Sequence, residues 1–175
     1  TLGFLTGAAG LGALISAILL ASRKTIVGLG RVIVLSAFGF GAGLMAFGLS
    51  HFLWLSLPLM LFTGFCMMQQ MSSSNTIMQT IVQENKRGRV MSFYTMAFIG
   101  VAPFGSLIAG LVASKIGAPG TLMAGGTLCM LAALWFSRRL PEIRRVVRPI
   151  YMELGILPEV ASGIQAASTL QTPPE

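Results

Sequence analysis

The sequence predicts an all-α fold, a polytopic membrane helix bundle, and three observations carry that prediction. Hydrophobic residues make up 54% of the chain and charged residues only 10%, where a soluble domain carries roughly 25% charged residues. The apolar residues come in unbroken runs long enough to cross a bilayer as helices. The cations fall between those runs and not inside them.

A hydrocarbon core of about 30 Å takes roughly 20 apolar residues in a helix. Five runs reach about that length, so five transmembrane helices are expected. Leu2 to Ala21 is the first and stops at Arg23 and Lys24; Val32 to Leu49 is the second and stops at Ser50 and His51. Trp54 to about Thr76 is the third, and it passes into the polar segment "SSSNTIMQTIVQENKRGRV". Val90 to Ser114 is the fourth and ends at Lys115, and Ala118 to Phe136 is the fifth and ends at Arg138 and Arg139. None of them contains Asp, Glu, Lys, Arg or His. Barrel strands are excluded, because those would be about ten residues of alternating polarity.

Lys and Arg accumulate in cytoplasmic loops. Here 11 of the 12 cations sit on alternate connections: Arg23, Lys24 and Arg31; Lys86, Arg87 and Arg89; then Arg138, Arg139, Arg144, Arg145 and Arg148. Only Lys115 lies on the other side. Thr1 is therefore expected outside and the C-terminus in the cytoplasm. The same asymmetry explains the net charge of +7 without nucleic acid as a partner.

The third run ends in an amphipathic helix. Gln69, Ser72, Asn75 or Thr76, Gln79 and Gln83 recur at helical spacing on one face, with Met71, Met78, Ile81 and Val82 opposite. Unpaired amides in hydrocarbon are costly, so this stripe should face neighbouring helices or a water-filled cavity. Lys86, Arg87, Gly88 and Arg89 then read as a tight cytoplasmic turn in which the glycine supplies conformational freedom. Glu84 is placed near Arg87 as a surface pair of little weight.

The 21 glycines are concentrated in the runs, notably Gly3, Gly7, Gly10 and Gly12, then Gly39, Gly41 and Gly43, then Gly125 and Gly126. Small residues let helix backbones approach closely in lipid, where no hydrophobic effect drives association. In "GVAPFGSLIAG" the fourth run carries Pro103 between Gly100, Gly105 and Gly110. A proline there frees a carbonyl and permits a bend.

Asn75 and Gln79, followed by "RGRVMSF" from Arg87 to Phe93 and "PFGSLIAG" in the next run, resemble the major facilitator superfamily. The closer resemblance is to its bacterial branch of enterobactin-exporter-like proteins and transmembrane secretion effectors. That resemblance implies secondary active transport by alternating access, with efflux of a small molecule such as a siderophore, drug or metabolite. It makes the five runs helices eight to twelve, in a bacterial inner membrane. The chain would then be a C-terminal fragment, partnered by an N-terminal half upstream of Thr1. The first, third and fourth spans would face the central cavity.

At about 1.5 Å per residue, Cys66 to Gln70 lie near mid-depth. Gln69 and Gln70 are the first candidates for substrate contact, with Thr6, Ser16, Tyr94 and Thr95 next. Neighbours on a helix diverge by about 100°, so the two glutamines cannot both face one cavity, and either could bond a neighbouring helix instead. Asn75, Gln79, Arg87, Gly88, Arg89, Pro103 and Gly105 are gating or helix-contact candidates.

Proton coupling needs an ionisable group inside the membrane, and these runs hold none. If protons are the coupling ion, their carrier lies upstream. Catalysis is excluded as a theme by one His, no Asp and two well-separated cysteines, Cys66 and Cys129, which read as small apolar fillers. No cofactor and no metal is expected. His51 beside Trp54 reads as interfacial anchoring. Residues 1–139 form the transmembrane part. Residues 140–175 form a basic juxtamembrane segment whose arginines lie against anionic lipid, then a flexible tail. The competing reading is a self-standing five-span structural or accessory membrane protein, marked by a start codon just before Thr1.

Overall fold

The apolar runs become helices in the computed structural model, which describes residues 2–22, 28–50 and 52–153. They are α1 (Leu2–Ala21), α2 (Leu29–Leu49), α3 (Leu53–Ile81) and α4 (Glu84–Glu153). Arg23, Lys24, His51 and residues 154–175, where the expected flexible tail falls, lie outside the described residues.

Three of these helices are long and apolar enough to cross a membrane, over Gly3–Ala21, Leu29–Leu49 and Glu84–Ile143. The third expected span, α3, falls short because its second half is the amide- and hydroxyl-rich segment beginning at Gln69. It nevertheless stays helical to Ile81. The Thr76 hydroxyl donates to the Ser72 carbonyl and that of Thr80 to the Thr76 carbonyl, so these groups need no partner outside the helix.

The fourth and fifth expected spans are the two arms of α4. The helix is interrupted only at Gly117, where φ 76 and ψ 169 fall in a region essentially reserved for glycine. Pro103 sits within the first arm, residues 84–116, without a comparable break. Gly88 is helical too, so the connection between α3 and α4 is Val82 and Gln83, and Lys86, Arg87 and Arg89 belong to the opening turns of α4. The second arm, residues 118–153, runs straight through the expected domain boundary at 139.

Close backbone approaches fix the helix order. A Cβ at Gly64 would strike the carbonyl oxygen of Ala9, and one at Gly12 that of Leu61, so α1 and α3 lie side by side, running the same way. Gly39 rests on the Cys66 sulfur and Gly43 on the Thr63 hydroxyl, placing α2 antiparallel to α3. Gly41 and Gly126 face each other: a Cβ on either would lie within 2.7 Å of the other's carbonyl oxygen. With Gly48 beside Pro119 and Gly30 beside Leu140, the second arm lies antiparallel along α2.

The resulting order is α1, α3, α2, second arm. The first arm stands apart: nothing lies within 4 Å of a Cβ built at Gly100, Gly105 or Gly110, and its residues are almost all exposed. The interior is inverted relative to a water-soluble protein. Its buried residues include Ser16, Ser36, Ser56, Thr63, Gln69 and Ser73, while Phe4, Trp54, Phe104 and Trp135 are exposed. That is the distribution expected where the solvent is hydrocarbon and small polar residues hold helices together.

Candidate functional site

The polar residues of α3 separate onto different sides of the helix. Gln69 turns toward α1, where its Oε1 accepts a 2.7 Å hydrogen bond from the Ser16 hydroxyl. Both residues are buried, Ser16 completely. The structure thus brings together two of the predicted substrate contacts, and it brings them to each other, as an interhelical seam. Ser73, one helical turn further on, is also fully buried, and its hydroxyl has no partner among the described residues. Only its position four residues after Gln69 could have marked it in advance.

Gln70 faces away from α1 and lines a groove of about 500 Å³ between α2, α3 and the second arm of α4. Ser74 lies beside it, with Ala37, Cys129 and Phe136 among the walls. Neither Ser74 nor the groove was legible in the sequence, because the groove exists only once three helices are positioned. Cys129 is more than a filler there: its thiol donates to the Ala37 carbonyl at 3.5 Å. Cys66, buried against Gly39, is a filler as expected.

The remaining candidates do not converge on that groove. Thr6 is exposed on α1. Tyr94 stacks on Phe98 with ring centroids 6.3 Å apart. Thr95 lies on a shallow trough of about 650 Å³ on the first arm, lined also by Gly88, Met91, Ser92, Met96, Ile99 and Gly100. Asn75 and Gln79 bond to each other along α3, amide to carbonyl oxygen at 3.1 Å. Arg87, Arg89, Pro103 and Gly105 are exposed, and the Ser106 hydroxyl donates to the Pro103 carbonyl at 2.8 Å.

Charge plays no part in assembling these features. Among the described residues the ion pair is Arg139 to Glu142, 2.9 Å and exposed; Glu84 and Arg87 do not form one. No cluster of His, Cys, Asp and Glu among the described residues could hold a metal ion. The arrangement offers hydrogen-bonding amides and hydroxyls on apolar surfaces, which suits binding and passage of a molecule.

No curated protein and no solved structure matches the chain. A family model described as transmembrane secretion effector matches residues 1–150, which include all of α1, α2, α3 and most of α4. The chain therefore belongs to that family of the major facilitator superfamily, whose members are multi-pass membrane transporters and not enzymes.

Proposed function

We propose that the chain is the C-terminal part, helices eight to twelve, of a secondary active exporter of a small molecule in a bacterial inner membrane, working by alternating access. The family match over residues 1–150 carries this reading. In it the chain crosses the membrane five times, through α1, α2, α3 and the two arms of α4. The apolar stretch Glu84–Ile143 has 60 residues, and at 1.5 Å per residue it is about three times the length one crossing requires. The reversal at Gly117, together with the second arm running back along α2, supports two crossings there.

The cations on alternate connections support a cytoplasmic C-terminus. The first arm supports a partner half: its residues are almost all exposed, and its trough combines Gly88, Ser92, Thr95 and Gly100 with Met91, Met96 and Ile99, small residues among apolar ones on which another membrane helix packs closely. Thr6, Tyr94 and Thr95 remain the substrate-facing candidates, on surfaces the bundle leaves open. Ser16 and Gln69 hold α1 to α3. The five expected runs hold no Asp, Glu, Lys, Arg or His, so if protons drive the export their carrier lies in the upstream half.

The test is accumulation in cells expressing the full-length protein, using ethidium and a catecholate siderophore as probes, with and without a protonophore. Lower retention of either probe, reversed by the protonophore and weakened by Thr95→Trp, is the expected result. Equal retention of both probes with and without the protein would overturn export of these classes.

A further inference from the structure

We propose that the groove between α2, α3 and the second arm of α4 holds one anionic phospholipid of the inner leaflet. Its acyl chain lies along the apolar walls, its ester region meets Gln70 and Ser74, and its phosphate sits among the cations at the groove's inner end. The volume of about 500 Å³ is in the usual range for a ligand site. The groove opens sideways because α3 and the second arm both lean on α2 but scarcely touch each other, so a lipid enters it laterally, without passing through water.

Two features make it more than a gap between helices. Neither the Gln70 amide nor the Ser74 hydroxyl has a side-chain hydrogen-bond partner among the described residues, although both stand in walls built from Ile33, Ile77 and Phe136. An unpaired amide in such surroundings is costly, and an ester group supplies the missing acceptor. The charge at the inner end is also net positive. Gly30 and Leu140 meet there, flanked in sequence by Arg31 and by Arg138 and Arg139. Glu142, bound to Arg139, and Glu84 are the acids nearby. Basic pockets between helices on the cytoplasmic side are where anionic headgroups bind.

The experiment is native mass spectrometry of the full-length protein, released from micelles containing equal amounts of phosphatidylglycerol and phosphatidylcholine. One retained phosphatidylglycerol per protein is expected. Loss of about fivefold in retention for Arg31→Gln follows from the strength of a single cation near an anionic surface, with a smaller loss for Arg139→Gln, whose charge Glu142 partly offsets. Gln70→Leu, which adds no charge and needs no extra space, should lower retention roughly two- to tenfold. Ala132→Trp places an indole in the groove from an exposed position and should abolish it. Retention unchanged by both Gln70→Leu and Ala132→Trp would mean lipid held only around the outside, and the proposal would fall. Equal retention of the two lipids, or a bound mass that is no phospholipid, would overturn it as well.

Discussion

The Ser16 hydroxyl and the Gln69 side-chain carbonyl, 53 residues apart in sequence, meet at 2.7 Å in the interior of the bundle. They join two helices that also touch backbone to backbone at Gly12 and Gly64. In hydrocarbon neither group can fall back on water, so the bond and the close approach require each other. Without the glycines the helices stand too far apart for so short a serine to reach. Gln69 thus joins α1 to α3, and Gln70 faces the groove on the other side of the helix.

A double-mutant cycle with Ser16→Ala, Gln69→Leu and the pair, read as unfolding free energy in bicelles, should give a coupling of about 0.6 kcal/mol and at most about 1.7 kcal/mol. Ser16→Ala should be the worse single change, because it strands a buried amide, whereas the serine left by Gln69→Leu can bond its own helix. Zero coupling would mean that the two side chains do not meet.

Gly64→Ala should cost about 1–3 kcal/mol, the usual penalty for overfilling a tight contact, since the added methyl runs into the backbone of Ala9. Gly10→Ala in the same bundle, with nothing within 4 Å of its Cβ, should be neutral or stabilising by about 0.5–1 kcal/mol. Thermal unfolding of the two variants in one detergent separates packing glycines from lipid-facing ones; equal effects would contradict the α1–α3 contact.

The helices were legible where hydropathy alone decides them. Leu2 to Ala21 is helical with the bounds expected, and the expected gap between the fourth and fifth spans contains Gly117. The end of α3 was legible in the helical spacing of Gln69, Ser72, Gln79 and Gln83, which carried the expected helix past the Thr76 limit of hydropathy alone; the structure ends it at Ile81, with Thr76 and Thr80 bonding within it. The role of Gly88 was misjudged: a glycine among cations reads as a turn, yet Glu84 begins a helix that takes it in. Glycine-mediated packing was legible as a theme but not residue by residue; Gly41 and Gly126 make contact whereas Gly3, Gly7 and Gly125 do not. Which of two adjacent glutamines faces α1 depends on the rotation of α3 about its axis. That rotation is set by Gly12, Gly64, Gly39 and Gly43 together, so only the assembled bundle reveals it.

Gly117→Ala should destabilise the protein by about 1–3 kcal/mol, because φ 76 with ψ 169 is a conformation an L side chain scarcely tolerates. The control is Gly100→Ala, in the regular part of the same helix and without neighbours. If the reversal at Gly117 seats the second arm on α2, a cysteine pair at Gly48 and Met123 should cross-link readily in the parent and poorly in Gly117→Ala. Undiminished cross-linking would show that the arm docks without help from this glycine.

Opposite ends of the first arm should be accessible from opposite sides of the membrane. Residues 84–116 extend about 50 Å as a helix, more than enough to cross, and their ends carry Lys86 and Lys115. The positive-inside asymmetry places Lys86 with the cytoplasmic cations and leaves Lys115 alone on the far side. In a Cys66→Ala, Cys129→Ala background, Lys115→Cys should react with a membrane-impermeant maleimide in intact cells, and Lys86→Cys only after lysis. The reverse pattern would invert the orientation and move the basic groove to the outer leaflet, away from the anionic surface that its arginines suit. Labelling of both from the same side would mean that the first arm does not cross, and the five-crossing reading would fail with it.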